Sequence, residues 1–247
     1  MAQGALKQAV FYFGGYDFSS DTKLINPVVT PDVLDKTNIT HPARARRHGL
    51  DDISFNPEGF LNLGTAGLED VIMSNFNIGD IPITLGFTGG AMGEPAHFFL
   101  SKNISFNFGG QVGDMLPYKL NAGGQGSKFC RGMFLHNAQR LVSGTSTPYQ
   151  VGVVPAGKSL YAALHVIEIT GAAPTLDVIL QSDIAVGFED PTLRITFDQK
   201  IAVGHHWATP VEGPILDGAE ADDWWRISYT LAGTITSATF IVVMAIE

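Results

Sequence analysis

The sequence of 247 residues contains a single cysteine, Cys130, so it can form neither an internal disulfide bond nor a zinc site built from a cysteine cluster. No stretch approaches the ~18 uninterrupted apolar residues of a membrane-spanning helix, and the first residues lack the apolar run of a signal peptide. The motifs G-x-S-x-G and H-E-x-x-H are both missing. The sequence therefore predicts a soluble protein that is not exported by the general route, and it gives catalysis no positive support.

Charged residues are also scarce, at 16%, whereas hydrophobic residues make up 45%, which excludes the disordered class. The net charge of -9 argues against general adhesion to nucleic acid, because phosphate binding depends on Lys and Arg. This charge is unevenly distributed. Residues 1–154 contain 11 basic and 12 acidic side chains, a net of -1, and residues 155–247 contain 4 and 12, a net of -8. The difference supports a chain of two parts.

Short β-branched and aromatic runs separated by glycines predict strands along most of the chain. One short helix is expected, because Leu68, Ile72 and Phe76 follow the i, i+4, i+8 pattern with acidic residues in the first turn. The fold class is therefore predicted to be all-β with one short helix. The main strands are expected at residues 9–13, 81–87, 96–108, 115–120, 129–135, 160–170, 176–181, 194–197, 226–231 and 239–246.

A run of small polar residues and proline at 143–148 predicts a domain boundary. It divides the chain into an N-terminal β domain, residues 1–148, and a C-terminal domain, residues 149–247. The density of strands in the second part predicts a β-sandwich of jelly-roll or immunoglobulin-like type.

Residues 19–52 differ from the rest of the first part, because they contain few aromatic residues and read as a long loop or arm. Loops of this length are rare unless they are functional, and they often become ordered only against a partner. The segment carries three prolines, Pro27, Pro31 and Pro42, and a basic cluster, Arg44, Arg46 and Arg47.

The string from Gly152 to Ser159 matches the phosphate-loop pattern G-x-x-x-x-G-K-S, with Lys158 as its lysine. Phosphate binding needs a helix directly after the loop, with backbone N–H groups that face the ligand. Here Pro155 removes one N–H, and the β-branched residues that follow favour a strand. A plain turn between strands is the better interpretation, and no nucleotide cofactor is expected.

Three other clusters invite a binding interpretation. The histidine pairs His41/His48 and His205/His206 suggest a metal site. His205 and His206 are adjacent and would point to opposite faces of a strand, and His41 and His48 lie in the arm with no carboxylate nearer than Asp51, so surface and loop histidines are the simpler interpretation. The acidic stretch from Asp217 to Asp223 could hold calcium, although it lacks the ligand spacing of the helical calcium loop and is better interpreted as a solvated turn.

Trp207, Trp224 and Trp225 could form an aromatic platform for sugar. Trp224 and Trp225 are adjacent, so at most one of these two side chains faces outward from a strand.

Several strings in the second part resemble structural proteins of long-tailed bacteriophages. They are residues 164–166, 174–178, 181–183, 187–188, 194–197 and 223–229 with Gly233. Residues 51–60, the short helix after them and the strands up to His136 are similar to a phage tail tube protein, the major tail protein of a non-contractile tail.

This resemblance implies a β-sandwich or barrel with one flanking helix and an outer β domain. It also implies stacked hexameric rings in the virion tail, with other tail proteins as partners, DNA only as non-specific passing cargo, and no cofactor or membrane. Residues 19–52 would then be an assembly arm. Two alternatives stay open: a carbohydrate-binding adhesin that uses the tryptophans, and a capsid-decorating or other minor virion protein.

Overall fold

The computed structural model describes residues 8–38, 43–64, 67–75, 80–124, 126, 128–208 and 221–247, without the side chains of 47–50 and 103–104. The described chain is almost wholly β, with one helix, so the predicted all-β class is confirmed. In chain order the elements are β1 (Val10–Phe13), β2 (Tyr16–Asp17), β3 (Thr22–Leu24), β4 (Pro27–Asp35), β5 (Arg46–Phe55), β6 (Glu58–Phe60), α1 (Leu68–Ser74), β7 (Ile81–Gly86), β8 (Pro95–Phe108), β9 (Pro117–Gly124), β10 (Cys130–Arg140), β11 (Gly144–Thr145), β12 (Tyr149–Gln150), β13 (Leu160–Asp183), β14 (Thr192–Thr196), β15 (Gly204–Ala208) and β16 (Trp224–Ile246).

The chain forms two compact units that interleave in sequence. The first comprises Met1–Ser20, Ile81–Phe99 and Cys130–Glu247, and the second comprises Asp21–Asp80 and Leu100–Phe129. The boundary predicted at residue 148 falls inside the first unit. The physical reason is strand pairing, since β10, before that boundary, runs antiparallel to β16 at the C-terminus.

The first unit is built on one sheet with the strand order β14-β13-β16-β10-β8-β7-β1-β2. The short strands β11 and β12 pair with β16, and β15 pairs with β13. Alternate residues of these strands bury an apolar face, because successive side chains on a strand point to opposite sides. Trp225, Phe240 and Leu135 are among the fully buried members of this core.

Two long strands replace the four short ones predicted near the C-terminus. Strand β13 runs without interruption through both 160–170 and 176–181, and β16 runs through both 226–231 and 239–246. They pair antiparallel from Leu160 opposite Ile246 to Asp183 opposite Trp224, with register shifts around residues 166–175. Positive φ angles at Gly171 and Gly233 allow the two backbones to approach each other closely at this irregular centre.

The second unit contains β3, β4, β5, β6, β9, the part of β8 from residue 100 onward, and helix α1. Strand β9 is its central element, since it pairs with β5, β6 and β8. Helix α1 buries Leu68 and Ile72, as their spacing predicts, and also buries Val71, while Phe76 lies outside the described residues. The long loop predicted at 19–52 is corrected here, because most of this segment pairs as strands β3, β4 and β5.

Prolines explain why the sequence pattern suggested a loop in this segment. Strand β4 contains both Pro27 and Pro31, and each proline lacks a backbone N–H. In the described chain β4 pairs only with β5, so it is an edge strand, where proline is tolerated. A register irregularity between Pro31 and Val33 accommodates the second proline.

Candidate assembly surface

The hairpin formed by β4 and β5, which we call the ribbon, exposes apolar residues that a monomer normally buries. Every residue of β4 after Pro27 is exposed. Val28 and Val29 keep 42% and 40% of their surface accessible, and Val33 and Leu34 keep 52% and 50%. Exposed aliphatic residues along one two-stranded element are typical of a surface that contacts another molecule.

Only one end of the ribbon is anchored in the second unit. Phe55 and Ile53, at the end of β5, are buried. At this end of β5, Ser54 pairs with Gly123 of β9 and Phe55 pairs with Ala122. Toward the tip β4 and β5 pair only with each other among the described residues. The distal half of the ribbon is therefore a two-stranded projection from the sheet.

Local hydrogen bonds hold the described part of the tip together. The Lys36 N–H donates to the carbonyl oxygen of Ala45 at 2.9 Å, and the Ala45 N–H donates to Oγ1 of Thr37 at 2.9 Å. The Thr37 N–H donates to a carboxylate oxygen of Asp35 at 2.8 Å. Hydrogen bonds from the Thr37 side chain and backbone lower the pKa of Asp35, because they stabilise its ionised form.

The basic cluster predicted for the arm lies at this distal end. The side chains of Arg44 and Arg46 are exposed, and Arg46 stands opposite Asp35 across the two strands. Arg47 stands opposite Leu34, and its side chain lies outside the described residues. The tip therefore presents positive charge beside the exposed aliphatic residues, which is a surface suited to binding rather than to catalysis.

A shallow groove of about 350 Å³ also lies in the second unit, between β3, β6, β9 and the end of β8. Its charged groups already have partners within the unit. Nζ of Lys119 lies 2.7 Å from a carboxylate oxygen of Glu58, and this contact lowers the Glu58 pKa. Nζ of Lys23 lies 5.3 Å from the centre of the Phe60 ring. The groove is thus less suited to a charged ligand than its two lysines suggest.

The tryptophans proposed as a sugar platform are mostly buried. Trp225 has no exposed surface and donates from Nε1 to the carbonyl oxygen of Gly152 at 2.8 Å, and Trp207 is 6% exposed. Trp224 is half-buried. The strand alternation that allows at most one of the adjacent pair to face outward is therefore seen here. Trp207 and Trp225 offer no open ring face to a sugar.

The histidines considered as metal ligands are partly packed against other residues, more than the sequence suggested. His206 Nδ1 lies 3.0 Å from a carboxylate oxygen of Asp198, and His205 is half-buried on the same strand. His41 and the side chain of His48 lie outside the described residues. Within the part of the chain that the structure describes, no group of three or more His, Cys, Asp or Glu side chains could hold a metal ion.

Two buried histidines were overlooked because nothing in their local sequence marks them. His165 is hydrogen-bonded on both ring nitrogens, to Gly14 and to Thr84, and its burial lowers its pKa to about 3. His136 stacks on Phe240 with ring centres 4.3 Å apart. Burial, together with the nearby Arg140 charge, lowers its pKa to about 4.

The phosphate-loop string has the context that the sequence predicted. Strand β13 begins at Leu160, directly after the string, so the element that follows the string is a strand and not a helix. Val154 within the string is buried, and the Lys158 N–H donates to the carbonyl oxygen of Pro155 in a turn.

In the acidic stretch, Asp217 to Glu220 lie outside the described residues. Asp222 is not part of a solvated turn. Its Oδ2 accepts from Nη2 of Arg194 at 2.6 Å and from Oγ of Ser182 at 2.7 Å, and all three residues are buried. Burial opposes ionisation, but these hydrogen bonds and the Arg194 charge outweigh it and lower the Asp222 pKa.

Comparison with known proteins identifies no family for this chain, since no family model and no curated protein matches it. Among solved structures, the chain is similar to the SPP1 Dit (gp 19.1) protein, described as a paradigm of the hub adsorption apparatus in Gram-positive infecting phages. The identity is 12%, the match covers 98% of this chain and 100% of the other, and the TM-score is 0.38. A TM-score of this size does not establish a common fold. Among the described residues, the one helix is too short to cross a membrane.

Proposed function

We propose that this protein is a structural component of a phage tail, and that its copies form stacked hexameric rings of a tail tube through which DNA passes. The single observation that carries the proposal is the ribbon, which exposes aliphatic side chains and positive charge at the end of a projecting hairpin. The sequence resemblance described above agrees with it. In this role the ribbon is the assembly arm, and Arg44, Arg46 and Arg47 belong to its contact with a neighbouring copy.

The ribbon binds its neighbour through its faces rather than by adding a strand. Strand β4 is the free edge, but Pro27 and Pro31 remove two backbone donors from it. Asp32 and Asp35 add exposed charges to the same edge. Prolines and charges on an edge strand oppose strand addition. Side-chain contacts made by the exposed aliphatic residues therefore supply the affinity.

A structural role with passing DNA also agrees with the charge distribution. Residues 1–154 are nearly neutral, with 11 basic and 12 acidic side chains, so we expect this part of the chain to bind DNA phosphates only weakly. Residues 155–247 carry a net charge of -8, from 4 basic and 12 acidic side chains. Copies of such an acidic region repel each other when crowded, so we place it away from the ring contacts.

The test is the oligomeric state of the full chain. Light scattering after size exclusion and negative-stain images should show rings of six that stack with rising concentration. A variant in which residues 33–48 are replaced by a two-residue Asn-Gly turn keeps the pairing of Pro31 with Asp51 and the anchored base. It should stay folded by circular dichroism but fail to assemble. A full chain that is monomeric at every concentration would rule out the tube.

A further inference from the structure

One tryptophan stays open on the first unit, on the face of β16 that is turned away from the apolar core. At this end of β16 the buried core residues Trp225 and Ile227 alternate with Trp224, Arg226 and Ser228, which are half-buried. Among the described residues, nothing makes a hydrogen bond or a ring contact with the Trp224 indole. Its N–H and the exposed part of its ring are therefore available to a ligand.

A guanidinium of fixed orientation lies two residues further along the same strand. Arg226 donates from Nε to Oε1 of Gln181 at 3.1 Å, and Gln181 stands directly opposite it on β13. Cζ of Arg226 lies 4.2 Å from the centre of the Phe188 ring. No described residue accepts a hydrogen bond from its two Nη groups. The planar fork of Arg226 is therefore held in place with donors to spare.

The loop that carries Phe188 is itself fastened to the sheet. The carboxylate of Asp183 accepts from the N–H groups of Ala185 at 3.0 Å and Asp190 at 3.1 Å. Phe188 has a φ of 50°, which is unusual for an aromatic residue, yet its side chain is only 6% exposed. Strained residues of this kind persist where the surroundings hold them, and they are concentrated at binding sites.

Hydrogen-bond acceptors lie on the other side of Trp224. Gln150 of β12 stands directly opposite Trp224 and donates from Nε2 to Oδ2 of Asp223 at 2.6 Å. This contact leaves Oε1 of Gln150 and Oδ1 of Asp223 as acceptors, while Arg226 supplies donors about 7 Å along the strand. An aromatic ring bordered by positioned polar groups suits a ligand with an apolar face and hydroxyl groups around its edge.

We infer that Trp224 and Arg226 form the centre of a binding site for a neutral hexopyranoside. The C–H groups on one face of the sugar ring stack on the indole, and neighbouring hydroxyl oxygens accept from the Nη groups of Arg226. Acidic glycans are disfavoured, because residues 155–247 contain 4 basic and 12 acidic side chains and Asp223 borders the site. This inference goes beyond the proposed function, which requires no ligand.

Calorimetry on the full chain tests the site. Titration with the methyl glycosides of glucose, galactose, mannose and N-acetylglucosamine should detect binding of at least one of them. Trp224→Ala and Arg226→Gln should each raise its Kd by roughly tenfold. Arg131→Gln is the matched control, because Arg131 is exposed on the same unit but lies next to the part of β10 that pairs with Met244, far from Arg226. No binding of any of these glycosides, or an unchanged Kd in both variants, would overturn the inference.

Tryptophan fluorescence locates the ligand in a way that a loss of folding does not imitate. Trp207 and Trp225 are buried, so acrylamide should quench mainly Trp224. The bound glycoside should reduce this quenching in the unmodified chain and should have no effect on the remaining fluorescence of Trp224→Ala. Arg226→Lys, which keeps the charge but loses the planar fork, should also bind more weakly. Quenching that a saturating glycoside leaves unchanged would place the ligand elsewhere and overturn the inference.

The outcomes are independent of the proposed function. A monomeric chain that binds a glycoside at Trp224 would remove the tube and leave the sugar site standing. A chain that assembles into rings but binds none of the glycosides would do the reverse.

Discussion

His165 donates a hydrogen bond from Nδ1 to the carbonyl oxygen of Gly14, while its Nε2 accepts one from the Thr84 hydroxyl at 2.8 Å. A carbonyl oxygen can only accept, so Nδ1 carries a proton, and because burial lowers the pKa of the ring to about 3, Nε2 is unprotonated and acts as the acceptor. Gly14 lies in the turn between β1 and β2, Thr84 lies on β7, and His165 lies on β13. One fully buried ring therefore joins strands from the two ends of the first unit's sheet.

We expect acid to destabilise the protein through its buried histidines. Burial lowers the pKa of His165 to about 3 and that of His136 to about 4, whereas both side chains titrate near 6.5 in an unfolded chain. Below about pH 6.5 the unfolded state therefore binds more protons than the folded state. The free energy of unfolding should be constant above about pH 7 and fall toward about pH 4, by up to ~1.4 kcal/mol per pH unit for each histidine. Urea denaturation across this range measures it, and a flat profile would contradict the burial of both rings.

His136→Phe should remove part of this pH dependence. Neither ring nitrogen of His136 makes a hydrogen bond of ordinary geometry with a described residue, and the ring stacks on Phe240. Phenylalanine keeps the stacking and cannot be protonated. The variant should therefore gain stability relative to the unmodified protein at about pH 5, and gain less at about pH 7.5. An equal change at both values would show that packing, not titration, explains the effect.

The sequence pattern predicted those elements whose signal is local. The apolar spacing of α1 and the runs that form β7 and β8 correspond closely to the structure. It missed the continuity of β13, because Gly171 and Pro174 look like strand breakers when their partners on β16 are unknown. It also read the ribbon as a loop, because an edge strand tolerates prolines that a central strand does not.

Of the candidate site, too, only the features with a local signal could be predicted from the sequence. The exposure of Arg44 and Arg46 was predictable, because they lie in a basic, proline-containing segment with few aromatic residues. The buried position of His165 could not be predicted from the sequence, because its hydrogen-bond partners lie 81 and 151 residues away in the chain. The burial of Asp222 was also missed, because its acidic neighbours suggested a solvated turn and its partner Arg194 is 28 residues away.

Lys158→Ala should leave the protein unchanged. Lys158 is exposed in a turn and is followed by strand β13 rather than by a helix. An exposed substitution of this kind changes stability by no more than about 0.5 kcal/mol. Calorimetry with ATP should show no binding by the unmodified protein or the variant. ATP binding that disappears in the variant would overturn the interpretation of the G-x-x-x-x-G-K-S string as a plain turn.

Asp222→Ala should be strongly destabilising, because it leaves the buried Arg194 guanidinium without its carboxylate at 2.6 Å. Removal of one partner of a buried ion pair costs about 3–5 kcal/mol. The double variant Arg194→Met/Asp222→Ala should recover much of this loss, since neither charge of the pair is then left buried without its partner. Asp223→Ala is the control, because its contact with Gln150 is exposed and should contribute less than about 1 kcal/mol. Equal losses in Asp222→Ala and Asp223→Ala would show that the ion pair does not stabilise the first unit.

Gly171→Ala should destabilise the centre of the long β13–β16 pair. Gly171 has a φ of 141°, a conformation that only glycine adopts readily, and a Cβ there would collide with the backbone of Thr234 on β16. Strain of this kind costs about 1–3 kcal/mol, to which the collision adds. Gly187→Ala is the matched control, because Gly187 is exposed, has no positive φ, and a Cβ there would make only ordinary van der Waals contacts with the Glu189 side chain. The loss of stability in this control should stay within about 0.5 kcal/mol. The midpoints of denaturant unfolding measure the stability of the two variants. If Gly171→Ala does not fold, its soluble yield is compared with that of Gly187→Ala instead. Equal stability of the two variants would mean that β13 and β16 do not approach each other closely at this point.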